Sequence, residues 1–411
     1  MTNGKTEKTA VSFEYDLDFF EEFNKKLTYN KYQAEYYRTF AKEDPREEYA
    51  FLKKAEAVES CSNFWDLWIY NKNKLKQVVG VNRCHDSFCY CCQSVKARRR
   101  FELFSPVLKE YEKEYDVYHI VFTVPNVDGS RLKATLDKMT ERFARIIRYF
   151  EGSKKIAGID FERFGYVGAV RSLEITTGKR KLMEGNDFHP HFHCMFILRK
   201  GMNFVPKIYN SFSLTVKNGK KTVVLFTAFE VLLQRIWCLL MLDLKVTLEN
   251  ICNIAALTNG KYKDGFDVKA DDAEGNYHEI FKYAIKGTYK KESIFSEEDF
   301  RWLYYALRNR RCYQTYGVLG KENFNDTDDV FSPKMKTDLL FDMFLAALQK
   351  CEKPFQTQTD LDYILSDLRG NEKRKRKVRY FGPSTLRKAF IGKTEEEMQE
   401  QVMKWIDELK V

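Results

Sequence analysis

The chain has 411 residues, 44% hydrophobic and 15% aromatic, which excludes a disordered polyelectrolyte and allows two or three structural units. Its formal net charge of +10 favours a polyanionic partner, although charge alone does not separate nucleic acid from a ribosomal or membrane surface. No apolar run reaches the length of a membrane span, and Met1 to Glu7 carries no signal-peptide core, so a cytoplasmic protein without a membrane partner is expected. In that compartment its ten cysteines are ligands or buried thiols, not disulfides.

Residues 1–10 are polar and expected to be disordered. From Tyr15 to about Ala57, aromatics such as Tyr29, Tyr32, Tyr36, Tyr37 and Phe40 recur at mixed helical spacings, predicting two or more amphipathic helices whose rings form core. Next, Cys61, Cys84, Cys89, Cys91 and Cys92 fall in one region. Cys89 and Cys92 form a C-x-x-C knuckle with Cys84 five residues before it, a spacing that wraps tetrahedral zinc; Cys61, Cys91 and His85 are candidates for the fourth ligand. A helix is expected from near Ser94 to about Tyr115, with Lys96, Arg98, Arg99 and Arg100 either solvated or contacting phosphate. Tyr118 to Val124 reads as a central strand broken at Pro125 to Gly129. Arg131 to Phe150 has helical periodicity, with Leu132, Leu136, Met139, Phe143, Ile146 and Ile147 on one side. Tyr166 to Thr176 is another strand, and the turn-like stretch Thr177 to Asp187 would return the chain antiparallel to it.

The return strand is Phe188 to Leu198. In extended chain His189, His191 and His193 point to one side while Phe192 and Cys194 point to the other, and a histidine pair two residues apart can hold one divalent metal. Phe226 to Leu242 reads as a core helix and Phe266 to Ala270 as an edge strand. In His278 to Lys286, a helical reading puts Glu279 and Tyr283 at i, i+4, with Lys286 three residues beyond Tyr283, so carboxylate, phenol and ammonium share a stripe. A phenol is a poor nucleophile at neutral pH, and a metal polarising a phosphoryl oxygen would supply the electrophile it needs. After Tyr289 the chain is expected to be mainly helical. Lys373 to Arg379 holds six cations in seven positions, a solvated linker or a phosphate-binding arm. Gly392-Lys393-Thr394 lacks the earlier glycine of a nucleotide-binding loop, so no ATPase is read here.

Four of these pieces resemble, in order, the motifs of rolling-circle replication initiators of bacterial plasmids, in the single-tyrosine HUH endonuclease class. They are Cys84 to Cys92 with its following cations, Val121-Phe122-Thr123-Val124-Pro125-Asn126, His189-Pro190-His191-Phe192-His193, and Glu279 to Lys286. Arg308 to Gly320 also resembles a segment that follows the nucleophile in that family. The resemblance covers residues 55 to 320 or so, and the combination is more specific than any one motif.

The resemblance implies an α+β protein with a central antiparallel sheet and flanking helices, ferredoxin-like or RRM-like, plus a zinc-knuckle segment and helical N- and C-terminal regions. The corresponding division is 1–57, 58–95, 96–290 and 291–411. It implies Mg2+ or Mn2+ on His191, His193 and Glu174, with His189 a supporting or additional ligand; the alternative for Glu174 is a salt bridge with Arg171 or Arg180. It favours Cys61 as the fourth ligand of a structural Zn2+. Tyr283 would cut single-stranded or hairpin origin DNA through a 5′-phosphotyrosine bond, leaving a 3′-OH, and the same site would rejoin ends. Lys286 would orient metal or phosphate or help the phenolate form, and Glu279 would activate water for a hydrolytic termination. Host helicase, polymerase and single-strand-binding protein are the implied partners; oligomeric state is not specified. A relaxase or single-strand transposase of the same class is the alternative enzyme, and a non-catalytic zinc-containing origin-binding regulator the alternative outside enzymes.

Overall fold

The computed structural model describes residues 17–62, 64–70, 76–152, 155–177, 187–201, 211–215, 221–260, 265–272, 277, 280, 285–287, 296–321 and 375–381. In chain order the first elements are α1 (Leu17–Glu43), α2 (Glu48–Glu59), β1 (Phe64–Tyr70), β2 (Lys76–Val81), α3 (Tyr90–Tyr111), β3 (Tyr115–Thr123), β4 (Val127–Asp128) and α4 (Gly129–Glu151). After a short 3-10 turn come β5 (Gly168–Thr177), β6 (Asp187–Arg199), β7 (Ser211–Thr215), β8 (Lys221–Leu225), α5 (Ala228–Met241), α6 (Leu248–Cys252) and α7 (Ile254–Leu257). The last are β9 (Val268–Asp272), β10 (Ile285–Gly287), α8 (Glu297–Leu307), β11 (Tyr313–Gly317), α9 (Val318–Lys321) and β12 (Lys375–Phe381). They divide into two compact units, residues 1–95 with 331–411 and residues 96–330.

In the first unit α1 and α2 pack through Tyr37, Phe40 and Phe51, whose ring centroids lie 5.6–6.3 Å apart in stacked and edge-on pairs. Of the aromatics expected as core in α1, Tyr37 and Phe40 are buried, while Tyr29, Tyr32 and Tyr36 are half-buried. The same helix grips the loop that follows β2: Gln33 Nε2 donates to the Phe88 carbonyl at 2.9 Å and Tyr37 Oη to Asp86 Oδ2 at 2.8 Å. β12 pairs antiparallel with β1, which pairs with β2. The reading of 291–411 as helical holds for α8 and α9 but not for part of the cationic run, because Lys375 to Arg379 is strand backbone.

The second unit is built on a sheet of seven strands in the order β10-β5-β6-β3-β9, with β11 added to β5 and β4 to β6. All pairings are antiparallel except β10 with β5. The path β3-α4-β5-β6-α5-β9, laid out as β9-β3-β6-β5, is the split β-α-β arrangement of ferredoxin-like domains. The sheet continues past residue 290, where the sequence suggested a boundary, because β11 lies against Gly168 to Ser172 of β5.

Alternation gives each strand two faces. On one, α4 and α5 cover Phe122, Phe192 and Phe196. Phe143 of α4 stands edge-on to Phe122 and Phe192 with centroids 5.4 Å away, and Trp237 of α5 donates to the Thr123 carbonyl at 2.7 Å. Burying each such ring contributes about 1.5–3 kcal/mol. α4 is also amphipathic as expected, with Leu132, Leu136, Met139, Phe143, Ile146 and Ile147 all buried. The opposite face carries an apolar cluster of Val117, Val170, Met195 and Ile197 under Phe104 and Leu108 of α3, joined by Tyr277, Ile280, Tyr313 and Leu319. Where that cluster stops, the same face turns polar.

Candidate functional site

The polar end of that face is assembled by register. β5 and β6 pair so that Glu174 stands opposite His191, Ser172 opposite His193 and Thr176 opposite His189. One Glu174 carboxylate oxygen lies 3.4 Å from His191 Nε2 and the other 3.4 Å from His193 Nε2. Glu174 is only 5% exposed and His191 8%, so the carboxylate faces the imidazoles and not water. The donor atoms of Glu174, His191 and His193 all lie within 4.8 Å of one another. Two imidazoles with a carboxylate form the mixed nitrogen and oxygen set that suits a divalent cation, and burying a carboxylate is costly unless it is paired or coordinates a metal. His189 lies one pair further along β6 and is outside this group. Arg171 is not the partner of Glu174: it lies on the opposite face, buried, with its guanidinium 4.5 Å from the Phe192 ring.

The nitrogens turned away from Glu174 are also engaged. His191 Nδ1 is 3.2 Å from the carbonyl of His189, and His193 Nδ1 is 3.0 Å from Nε2 of His119 on β3. His119 was not singled out in the sequence, where it is a lone histidine in an apolar strand, 74 residues from His193. Nearby, Thr123 at the end of β3 donates to the Gly265 carbonyl at 2.8 Å. Gly265 has φ +89°, and a Cβ there would come within 2.9 Å of the Pro125 backbone, so glycine lets the chain entering β9 close onto Val121 to Asn126.

The candidate nucleophile segment is only partly in view. Glu279 and Tyr283 lie outside the described residues. Lys286 falls in β10, in parallel register with Thr176, which corrects the helical stripe at that end: Ile285 to Gly287 is strand. Of the four cations in α3, Arg98 and Arg99 are placed as helix backbone, Lys96 is half-buried, and Arg100 lies with its guanidinium 4.7 Å over the Tyr313 ring, so it packs within its own unit.

In the first unit Cys61, Cys84, Cys89 and Cys92 bring their sulfurs within 4.8 Å of one another. Cys92 Sγ lies 3.6 Å from both Cys61 and Cys84. Tetrahedral bonds of about 2.3 Å to zinc would set the sulfurs about 3.8 Å apart, so the cage has the right size. Local backbone makes the cage: Ser62 after Cys61 and His85 after Cys84 take left-handed φ of 60° and 57°, and Cys92 sits in the first turn of α3. Asn30 Nδ2 donates to Cys89 Sγ at 3.4 Å while its Oδ1 accepts from Tyr90 N at 3.1 Å. Without a cation the four thiols conflict. The hydrogen bond from Cys84 holds Cys61 far below the ordinary thiol range, and the same contact holds Cys84 far above it. Cys91, also buried but outside the four, is pushed up to about 12, chiefly by its contact with Cys61. A divalent ion that accepts four thiolates removes that conflict.

A ferredoxin-like sheet that brings Glu174 of β5 to His191 and His193 of β6, in a chain that also gathers four cysteines, defines an α+β protein with two groups of side chains that could each hold a metal ion. Residues 75–209, which include β3, β5 and β6, match the model of the Replication protein family, and over this stretch the chain resembles plasmid replication proteins. A "Protein rep" of a Bacillus species is 28% identical over 163 residues, 38% of this chain and 48% of that protein. A "Protein rep" of Bacillus amyloliquefaciens is 26% identical over 161 residues (37% and 42%), and one of Streptococcus pneumoniae serotype 2 is 26% identical over 147 (35% and 41%). The chain therefore spans less than half the length of these curated relatives. No solved structure matches it.

Proposed function

We propose that the chain initiates plasmid replication by nicking one strand of origin DNA with Tyr283, at a metal site made of His191, His193 and Glu174. The observation that carries this reading is the convergence of those three side chains inside the stretch similar to replication proteins. The two imidazoles and the carboxylate would hold Mg2+ or Mn2+, and such a cation supplies charge neutralisation and polarisation of a phosphoryl oxygen when bound. The phenolate oxygen of Tyr283 attacks phosphorus, the bond to the 3′-oxygen breaks, and that oxygen takes a proton to become a 3′-OH. The enzyme keeps a 5′-phosphotyrosine, and the reverse reaction rejoins the strand. Support for Tyr283 comes from its neighbours in the chain. Tyr277 and Ile280 are buried with Met195, two residues beyond His193, and Ile285 pairs with Ile175 beside Glu174. Lys286, opposite Thr176, is assigned to stabilising the phenolate or phosphate. Glu279 is assigned to drawing a proton from the water that ends the cycle by hydrolysis.

The four cysteines are assigned a structural Zn2+, and origin DNA, host helicase, polymerase and single-strand-binding protein are the proposed partners. Among the described residues no helix is long and apolar enough to cross a membrane, and a cytoplasmic location is proposed. The test incubates the purified protein with labelled single-stranded origin DNA and Mn2+ and looks for a covalent adduct on a denaturing gel. The adduct should form with the native chain and be lost, by more than about 1000-fold in rate, in Tyr283→Phe, because no other group in the scheme supplies the nucleophile. If native protein and both Tyr283→Phe and His191→Ala bind the DNA equally and none cuts it, the chain is a binding regulator and this reading is wrong.

A further inference from the structure

We infer that His119 is a positioning residue for the cation site, fixing His193 in the one ring state that can serve as a ligand; the inference rests on the metal reading above. A neutral imidazole offers a lone pair on one nitrogen and a proton on the other, and only the first can bind a cation. For His191 the backbone decides. Its Nδ1 faces the His189 carbonyl at 3.2 Å, a group that only accepts, so the proton sits on Nδ1 and the lone pair on Nε2, toward Glu174.

His193 is held by a side chain instead. Its Nδ1 is 3.0 Å from His119 Nε2, and its Nε2 is 3.4 Å from Glu174. The two rings are 6° from parallel with centroids 5.2 Å apart. That separation is close to the largest a 3.0 Å nitrogen contact permits, so both nitrogens lie on the line between the rings. The contact is an in-plane N–H···N hydrogen bond and not a face-to-face stack. With His193 as ligand through Nε2, its Nδ1–H donates and His119 Nε2 accepts.

The placement of His119 is built into the sheet. Val121 pairs with His193 and His119 with Met195, so His119 is the diagonal neighbour of His193 on the same face. Ile120 and Phe122, alternating with it, are completely buried on the other face and fix the register of β3. The two ligand rings are therefore oriented by different means, one by backbone that substitution cannot remove and one by a residue that substitution can.

The test is Mn2+ binding by the zinc-loaded full chain, read as the loss of the free-ion EPR signal. Mn2+ prefers oxygen and nitrogen donors, so the thiolate cage does not report. Native protein should bind one equivalent and Glu174→Ala none in the same range. His119→Leu should bind about 10- to 100-fold more weakly, the usual loss when the partner of a ligand is removed. His119→Gln, whose amide oxygen can accept the same proton, should recover most of the affinity, a rescue that a merely space-filling role would not give. Native binding with Glu174→Ala equal to it would overturn the metal reading itself. Native binding lost in Glu174→Ala but unchanged in His119→Leu would overturn only the role of His119.

Discussion

Four thiols converge in the first unit, whereas two imidazoles and one carboxylate converge in the second, and the count of donors separates their proposed uses. Zinc in a tetrahedron of four protein ligands has no place for a substrate, while three donors leave a hard cation short of its usual coordination and open to a phosphate oxygen. Their supports differ as well. The cysteines sit in a loop and a helix start that α1 clamps through Asn30, Gln33 and Tyr37. The histidines sit on β6, between β5 and β3, with Phe122, Phe143 and Phe192 packed behind them. A cage in a loop needs its ion to keep its shape, whereas a site on a central strand is shaped by a core that forms without one.

The comparison breaks first on metal removal. Cys89→Ala, or stripping zinc with a chelator, should unfold the region of the first unit around the cage, since structural zinc is worth about 10–16 kcal/mol to small zinc domains. Limited proteolysis should then gain new cuts between residues 17 and 95 while the cutting pattern of the second unit stays that of the zinc-loaded protein. An unchanged digestion pattern after full zinc removal would reduce the four cysteines to ordinary buried thiols.

Glu174→Ala should behave in the opposite way. Mn2+ affinity should fall by more than about 100-fold, beyond what is lost when only a partner of a ligand is removed. The melting temperature of the metal-free protein should hold or rise, because the change deletes a buried carboxylate. A large drop in melting temperature without any change in Mn2+ binding would show that the Glu174 contacts to His191 and His193 are structural.

Part of each donor set was legible for local reasons: the spacing of Cys84, Cys89 and Cys92 and the period-two histidines are short-range signals, whereas Cys61 and Glu174 are singled out by the family resemblance. The β5 to β6 return follows from two strand-like stretches flanking a turn-like one. The two helices of the path β3-α4-β5-β6-α5-β9 were legible in the same way, from the periodicity of α4 and the apolar run of α5. What was missed is long-range. His119 meets His193 only through the register of β3 and β6, and a single histidine in a strand announces no partner. Phe64 to Tyr70 is apolar enough to be a strand, but its partner Lys375 to Phe381 is disguised by cations and follows more than 300 residues later. The helical spacing read from Glu279 to Lys286 fails at its described end, where Ile285 to Gly287 is strand paired with the edge of β5. Tertiary pairing there overrides local pattern.

The smallest expected effect sharpens the claim that the sheet shapes its site without help. α5 opens with a capping box, in which Thr227 Oγ1 accepts from Glu230 N at 3.2 Å and Glu230 Oε2 accepts from Thr227 N at 2.6 Å. The other oxygen of Glu230 accepts from Ala270 N at 2.8 Å, so the cap also ties α5 to β9. Thr227→Ala removes one bond of this arrangement and should cost about 1 kcal/mol in chemical denaturation. The site lies across the sheet from α5, and further anchors of that helix, Trp237 to the Thr123 carbonyl and Gln234 to Asp267, are untouched. Mn2+ affinity should therefore stay within about twofold of native, since positions without a shared partner act independently. If so mild a change weakened binding by tenfold, Glu174, His191 and His193 would depend on the strength of the whole fold, and the contrast with the cysteine cage would fail.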